Sequence, residues 1–177
     1  MMFRTLRADE VECRIARVTE NGVQLLLYKD ARADMDLLDE TVGSLNWTRE
    51  HKCIGENLYC TVSIYDYEKC EWISKEDVGV ESYTEAVKGQ ASDSFKRACT
   101  NFGIGRELYT APFIWIPADR CKIVPKGPAF TCRDVFEVIQ ISYDDNRKIN
   151  MLNIYNRSAR KQAFVYDKRP QKNKEVA

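Results

Sequence analysis

The stretch "GQASDSFKRACTNFGIGRELY", residues 89–109, sets two adjacent cations, Lys96 and Arg97, inside a helix-like pattern that Gly103 and Gly105 then break. Paired cations on a rigid element suit phosphate, which needs charge at a fixed place and no base-specific partner. A solvated helix face is the simpler explanation of the same pair, and the two residues alone do not displace it. Arg32 poses a related question, because it falls in the first turn of a helix, where the dipole favours anions. A pair with Asp36, four residues on, accounts for it without function. Lys88 and Arg106 are further phosphate candidates by charge alone. Trp47, Trp72, Trp115, Tyr28, Tyr59, Tyr65 and Tyr83 could stack on bases, although aromatics in alternating strands more often fill a core or an interface.

Other chemistries find less support. "GIGRELY" has G-x-G without a strand-loop-helix setting, and GxxxxGK[ST] is absent, which argues against an NTPase. Asp34, Asp36, Asp39 and Glu40 could bind magnesium, and a metal-dependent nuclease using Asp34, Asp39 or Asp77 is conceivable. Their helical spacing places the four around an outer face, where solubility is the simpler role. The seven cysteines (Cys13, Cys53, Cys60, Cys70, Cys99, Cys121 and Cys132) are odd in number and lack a CxxC pair, so they read as buried reduced thiols. With His51 the only histidine, neither a zinc site nor Cys–His catalysis is expected. No catalytic residue, metal or cofactor is expected.

The elements that must position these residues follow from periodicity and turn signals. At 177 residues with 44% hydrophobic content, the chain is long enough for one α+β domain. "VECRIARVTENGVQLLLYKD" predicts strands over 11–19 and 23–29, joined at Asn21-Gly22. Asp30 suits an N-cap and Gly43 a C-terminal stop, with Ala31, Met35, Leu38 and Val42 on the inner face. Three antiparallel strands follow near 46–54, 57–65 and 70–75, then a linker with Gly79 and Glu81-Ser82. A long helix is expected near 83–102, buried through Val87, Ala91, Ser94, Phe95, Ala98 and Phe102. The prolines of "APFIWIPADRCKIVPKGP" suggest short edge segments, and "VFEVIQISYDDNRKINMLNIYN" a final hairpin turning at Asp144-Asp145-Asn146. A single domain over 1–166 and a flexible basic tail over 167–177 complete the expectation. No apolar run approaches the roughly 20 residues that cross a bilayer, and the N-terminal residues hold no signal-like stretch, so a cytoplasmic location is expected.

The formal net charge of zero conceals a division. Residues 1–119 carry 14 Lys/Arg against 21 Asp/Glu, whereas residues 120–177 carry 13 against 6. Such a split serves a basic arm for nucleic acid or the packing of acidic against basic subunit faces.

Two motifs in order carry more. "YKDARADMDLLDETVGSLNW" (28–47) and "ASDSFKRACTNFGIGRELY" (91–109), with "WISKEDVGVES" between them, resemble the Rad-fifty-two/Sak family of single-strand annealing proteins, in spacing most like its short phage-borne members. The resemblance covers roughly residues 11–117. It implies a β-β-α-β-β-β-α core with a long helix packed on antiparallel strands, assembled into a homo-oligomeric ring. It also implies ATP-independent binding and annealing of single-stranded DNA in recombination and repair, in a bacterial host, with an exonuclease or single-strand-binding protein as a further partner. Arg32, Lys96 and Arg97 match the family positions that line the DNA groove. Thr100 stands where some relatives carry another arginine. A self-assembling scaffold that recruits a nuclease or replication protein, with weak DNA binding of its own, is the alternative.

Overall fold

The computed structural model describes residues 2–80 and 86–170, with side chains in the second segment described from Gly89 onward. The fold is α+β, with antiparallel sheets and two α-helices among the described residues. The chain divides into two compact units, Met1–Thr5 with Lys29–Arg106 and Leu6–Tyr28 with Glu107–Ala177.

In the first unit, α1 (Ala31–Val42) precedes three strands, β3 (Trp47–Ile54), β4 (Asn57–Asp66) and β5 (Glu71–Val78), which form a sheet in that order. Helix α2 (Ala86–Asn101) packs on β4 and β5. Both expected caps of α1 are present. The Asp30 side chain accepts from the Arg32 amide, and Gly43, at φ 85°, donates its N–H to the Asp39 carbonyl. The inner face of α1 differs from expectation: Ala33, Asp34, Leu37 and Leu38 are buried, while Met35 is half-buried. Periodicity analysis assigns a charged residue to the outside, so the interior place of Asp34 rotates the whole face. The assignment of Asp34 to an outer acidic cluster is therefore corrected.

Helix α2 buries Ser94, Phe95, Ala98 and Cys99 completely and Gln90 nearly so. Val87 and the linker residues Glu81-Ser82 lie outside the described residues and side chains. Strand β5 runs three residues beyond its expected end, because Asp77 pairs in register with Cys60 and Val78 with Tyr59. A polar Lys75-Glu76-Asp77 run looks like linker, yet on this strand Lys75 and Glu76 are exposed and the half-buried Asp77 is paired with Arg97. Gly79 follows, where the backbone passes so close to α2 that a Cβ would lie 2.1 Å from the Gln90 carbonyl oxygen and 2.9 Å from the Ser94 amide nitrogen. Neither backbone atom can yield without moving the helix. Gly79→Ala is expected to destabilise the protein by about 1–3 kcal/mol. An unchanged urea midpoint would refute the close approach.

The second unit holds a six-stranded antiparallel sheet. Its strands are β1 (Glu12–Thr19), β2 (Gly22–Tyr28), β6 (Ile114–Pro117), β9 (Phe136–Tyr143), β10 (Ile149–Asn156) and β11 (Lys161–Asp167), in the order β11-β10-β9-β1-β2-β6. A small hairpin joins β7 (Ile123–Lys126) to β8 (Ala129–Cys132). The β1–β2 turn is one residue earlier than expected, on Glu20-Asn21, with Gly22 already paired to Thr19. The final hairpin, β9–β10, is extended by β11, which becomes a third antiparallel strand. Within this unit Glu107 is buried but satisfied, accepting from the Leu6 amide at 2.7 Å and from Arg147 at 3.2 Å. No helix among the described residues is long and apolar enough to cross a membrane.

Candidate nucleic-acid interface

The phosphate candidates that can be described lie in the first unit, Arg32 on α1, Lys96 and Arg97 on α2, and Arg106 just after it. Arg32 is largely exposed in the first turn of α1, and its guanidinium donates to Asp30 at 3.0 Å. That hydrogen bond anchors the side chain at the helix start. Asp30's carboxyl is held below its ordinary value, first by the Arg32 hydrogen bonds and also by the positive charge of Lys96. Lys96 on α2 therefore acts electrostatically on the same carboxylate that holds Arg32. Among the described residues, the Lys96 ammonium donates no hydrogen bond and forms no ion pair.

Arg97, the next residue, turns toward the sheet and pairs with Asp77 on β5 at 3.1 Å, with the guanidinium half-exposed. Asp77 is itself held by the Asn101 side chain and the Val78 amide. Arg106 wraps back on the end of α2, donating to the Thr100 carbonyl at 2.9 Å and the Asn101 carbonyl at 3.0 Å. These are carbonyls a helix terminus leaves unsatisfied. The side chain of Lys88 lies outside the described residues. Thr100 donates its hydroxyl to the Lys96 carbonyl at 2.9 Å.

Below this surface lies a pair that sequence reasoning missed. Lys29 and Asp34 form an ion pair with Lys29 8% and Asp34 0% exposed. The Lys29 ammonium also reaches the Lys96 carbonyl at 3.4 Å. One Asp34 oxygen, Oδ2, is buried with no hydrogen-bond partner among the described residues. Burial outweighs the attraction of Lys29 and pushes the Asp34 carboxyl up to about 6. No spacing rule would have found this pair, since residues five apart do not share a helix face and Lys29 precedes the helix.

The aromatic candidates divide. Trp47 stacks on Phe95 at 6.1 Å between ring centroids and donates Nε1–H to Asp39, so it belongs to the packing of α1, β3 and α2. Arg49 covers the Phe95 ring. Trp72 stays half-exposed, edge-on to Tyr65. In the second unit Trp115 stacks on exposed Phe113, and Arg14 lies over Tyr28. Tyr83 lies outside the described residues.

Each carboxylate considered for a metal-dependent nuclease has a structural partner. Asp34 is buried against Lys29, Asp39 accepts from Trp47, and Asp77 holds Arg97. Among the described residues no group of three or more His, Cys, Asp or Glu side chains converges on a metal position. His51 stands opposite Cys60 in strand register, but burial pushes that thiol up to about 11, the reverse of what a nucleophile needs. Cys60, Cys99, Cys121 and Cys132 are buried free thiols as expected, whereas Cys53 and Cys70 are exposed.

Residues 12–119 match the Rad52/22 family of double-strand break repair proteins. The chain belongs to that family. It is also similar to the single-stranded DNA-binding protein DdrA of Deinococcus radiodurans, 35% identical over 104 residues, 58% of this chain and 49% of the relative. DdrA of Deinococcus deserti is 40% identical over 58 residues, 32% of this chain and 29% of the relative. The chain thus spans half or less of these relatives' length. No solved structure matches significantly.

Proposed function

We propose that this Rad52/22 family chain binds single-stranded DNA and anneals complementary strands in recombination and repair, without nucleotide hydrolysis. The observation that carries the reading is a family match whose span includes Arg32, Lys96 and Arg97, together with two cations turned to solvent or unpaired: the Arg32 guanidinium is largely exposed, and the Lys96 ammonium has no partner among the described residues. The name of DdrA supports the same ligand.

The proposed chemistry is electrostatic. Cations on α1 and α2 hold the phosphates of an extended strand, leaving base edges free to test a second strand. Preorganisation lowers the entropic barrier to pairing. Duplex stacking contributes about 1.4 kcal/mol per step, so a short correct register carries the product downhill. Assembly into a ring would extend the groove from subunit to subunit. Consistent with self-association, β3 is an outer strand whose residues from Thr48 to Ile54 are all exposed, and its outer edge, unpaired among the described residues, can accept another strand. A member of this compact spacing would be phage- or prophage-borne and act in the host cytoplasm, with an exonuclease or single-strand-binding protein as partner.

Annealing of two dye-labelled complementary oligonucleotides without ATP tests the activity. Acceleration over the protein-free rate is expected, with co-elution of protein and oligonucleotide on size exclusion. Assembly without co-elution or acceleration would favour the scaffold reading, to which the exposed β3 edge is equally suited. Asp77→Asn removes an anion beside Arg97 and is expected to tighten oligonucleotide binding about two- to fivefold at low salt, the equivalent of at most about 1 kcal/mol. Weaker binding would show instead that Asp77 is needed to aim Arg97.

A further inference from the structure

The Lys29–Asp34 pair lies away from solvent, where no ligand could share it, yet it sits where α1 begins and touches α2 at one of the proposed DNA cations. A buried ion pair is a poor device for stability. Taking two charges out of water costs several kcal/mol per ion, and apolar residues of the same volume often do as well or better. Here the mismatch is visible in the structure: one Asp34 oxygen has no hydrogen-bond partner among the described residues. What the pair does supply is direction. Asp34 lies in the first turn of α1, two residues after Arg32, and Lys29 directly precedes the Asp30 cap that holds the Arg32 guanidinium. The ammonium held between them points at the carbonyl of Lys96, which also accepts the Thr100 hydroxyl.

The geometry points to the Lys29–Asp34 pair as a positioning device that sets the start of α1, and with it Arg32, against the Lys96 turn of α2, so that the two cations meet successive phosphates at a fixed separation. Its role in DNA binding rests on the proposed function. Neither residue touches the strand. They act through Arg32 and Lys96.

The test removes the pair without leaving a buried charge. Lys29→Met/Asp34→Leu keeps the length of the first side chain and the branched shape of the second, and it is expected to stay folded with the wild-type oligomeric state. Binding of a fluorescein-labelled oligothymidine is measured across a salt series. The expected result is a three- to tenfold drop in affinity and a salt slope shallower by about 0.7, the value of one phosphate neutralised on a single strand. In a Lys96→Ala background the same double substitution should change the slope little, since the cation it positions is already gone. Wild-type affinity and slope in the folded double variant would overturn the inference, leaving the pair a structural element only. If the leucine variant fails to fold, Lys29→Met/Asp34→Asn is read in the same way. Failure of both to fold also overturns it, because the pair is then needed for the core itself. Wild-type protein and Lys96→Ala/Arg97→Ala are run alongside. No oligonucleotide binding by the wild type, or no weakening in that variant, defeats the proposed function itself, whereas normal behaviour of both confines any failure to the positioning role.

Discussion

Lys96→Ala/Arg97→Ala is expected to weaken binding to single-stranded oligonucleotides of any sequence by about ten- to a hundredfold, taking roughly 1.4 kcal/mol for each charge-assisted hydrogen bond to phosphate that the substitutions remove. The dependence of log K on log salt should flatten by about 1.4, at roughly 0.7 per phosphate. Both residues lie on one turn of α2, a helix whose opposite face is closed by Phe95, Ala98 and Cys99. Their removal should therefore leave the core intact. The Arg97–Asp77 pair is half-exposed, worth about 0.2–1 kcal/mol in water, so the folded population should hardly change. A salt series by fluorescence anisotropy, on protein shown by circular dichroism to be folded, makes the measurement. Unchanged slope and affinity would remove these residues from the interface, and weakening confined to one sequence would point to recognition of bases instead of phosphates.

The second large effect is on stability. Lys29→Met leaves Asp34 buried with no cation beside it, and breaking a buried pair in this way costs about 3–5 kcal/mol. The penalty depends on pH in a definite direction. Burial already pushes the Asp34 carboxyl from 3.8 up to about 6 with Lys29 present. Between those values the folded protein binds a proton that the unfolded chain has released, so stability is lost as pH rises through the folded pKa and regained as pH falls. Removing Lys29 takes away the attraction that restrains the upward shift and moves the upper limit of that window higher. The variant should be weakest near pH 8 and recover toward pH 5 more steeply than the wild type. Urea unfolding of both proteins at pH 8 and 5.5 checks this, and parallel pH profiles would mean that Lys29 does not restrain the Asp34 carboxyl.

Much of the first unit is legible in the sequence because local signals agree with tertiary packing. Asp30 and Gly43 delimit α1 as caps do, and the alternation of β3 and β4 gives their ends to within a residue or two. The failures have one physical origin: periodicity treats charge as a marker of the surface. Asp34 defeats that rule for α1, because Lys29 neutralises it inside. The Lys75-Glu76-Asp77 run defeats it for β5 in the opposite sense, since a strand exposed on most of its length can carry charges at successive positions. Strand β11 escaped notice because "KQAFVYD" is short and charged at both ends, and its place is fixed by pairing with β10 rather than by its own pattern. In the candidate interface, Lys96 and Arg97 stand out as neighbours in the chain. Arg32 needed the family motif, and its observed partner, Asp30, lies behind it at the cap. Lys29 gave no signal at all, since its role depends on a carbonyl 67 residues away.

The stack of Trp47 on Phe95 has an optical consequence. The indole is fixed by Asp39 on α1 and by an aromatic ring on α2. Trp72 and Trp115 are the only other tryptophans in the chain, and replacing both by phenylalanine would leave a single emitter. Its wavelength and anisotropy would then report how firmly the two helices are held together, and a shift on adding oligonucleotide would time their response to the strand without any attached dye.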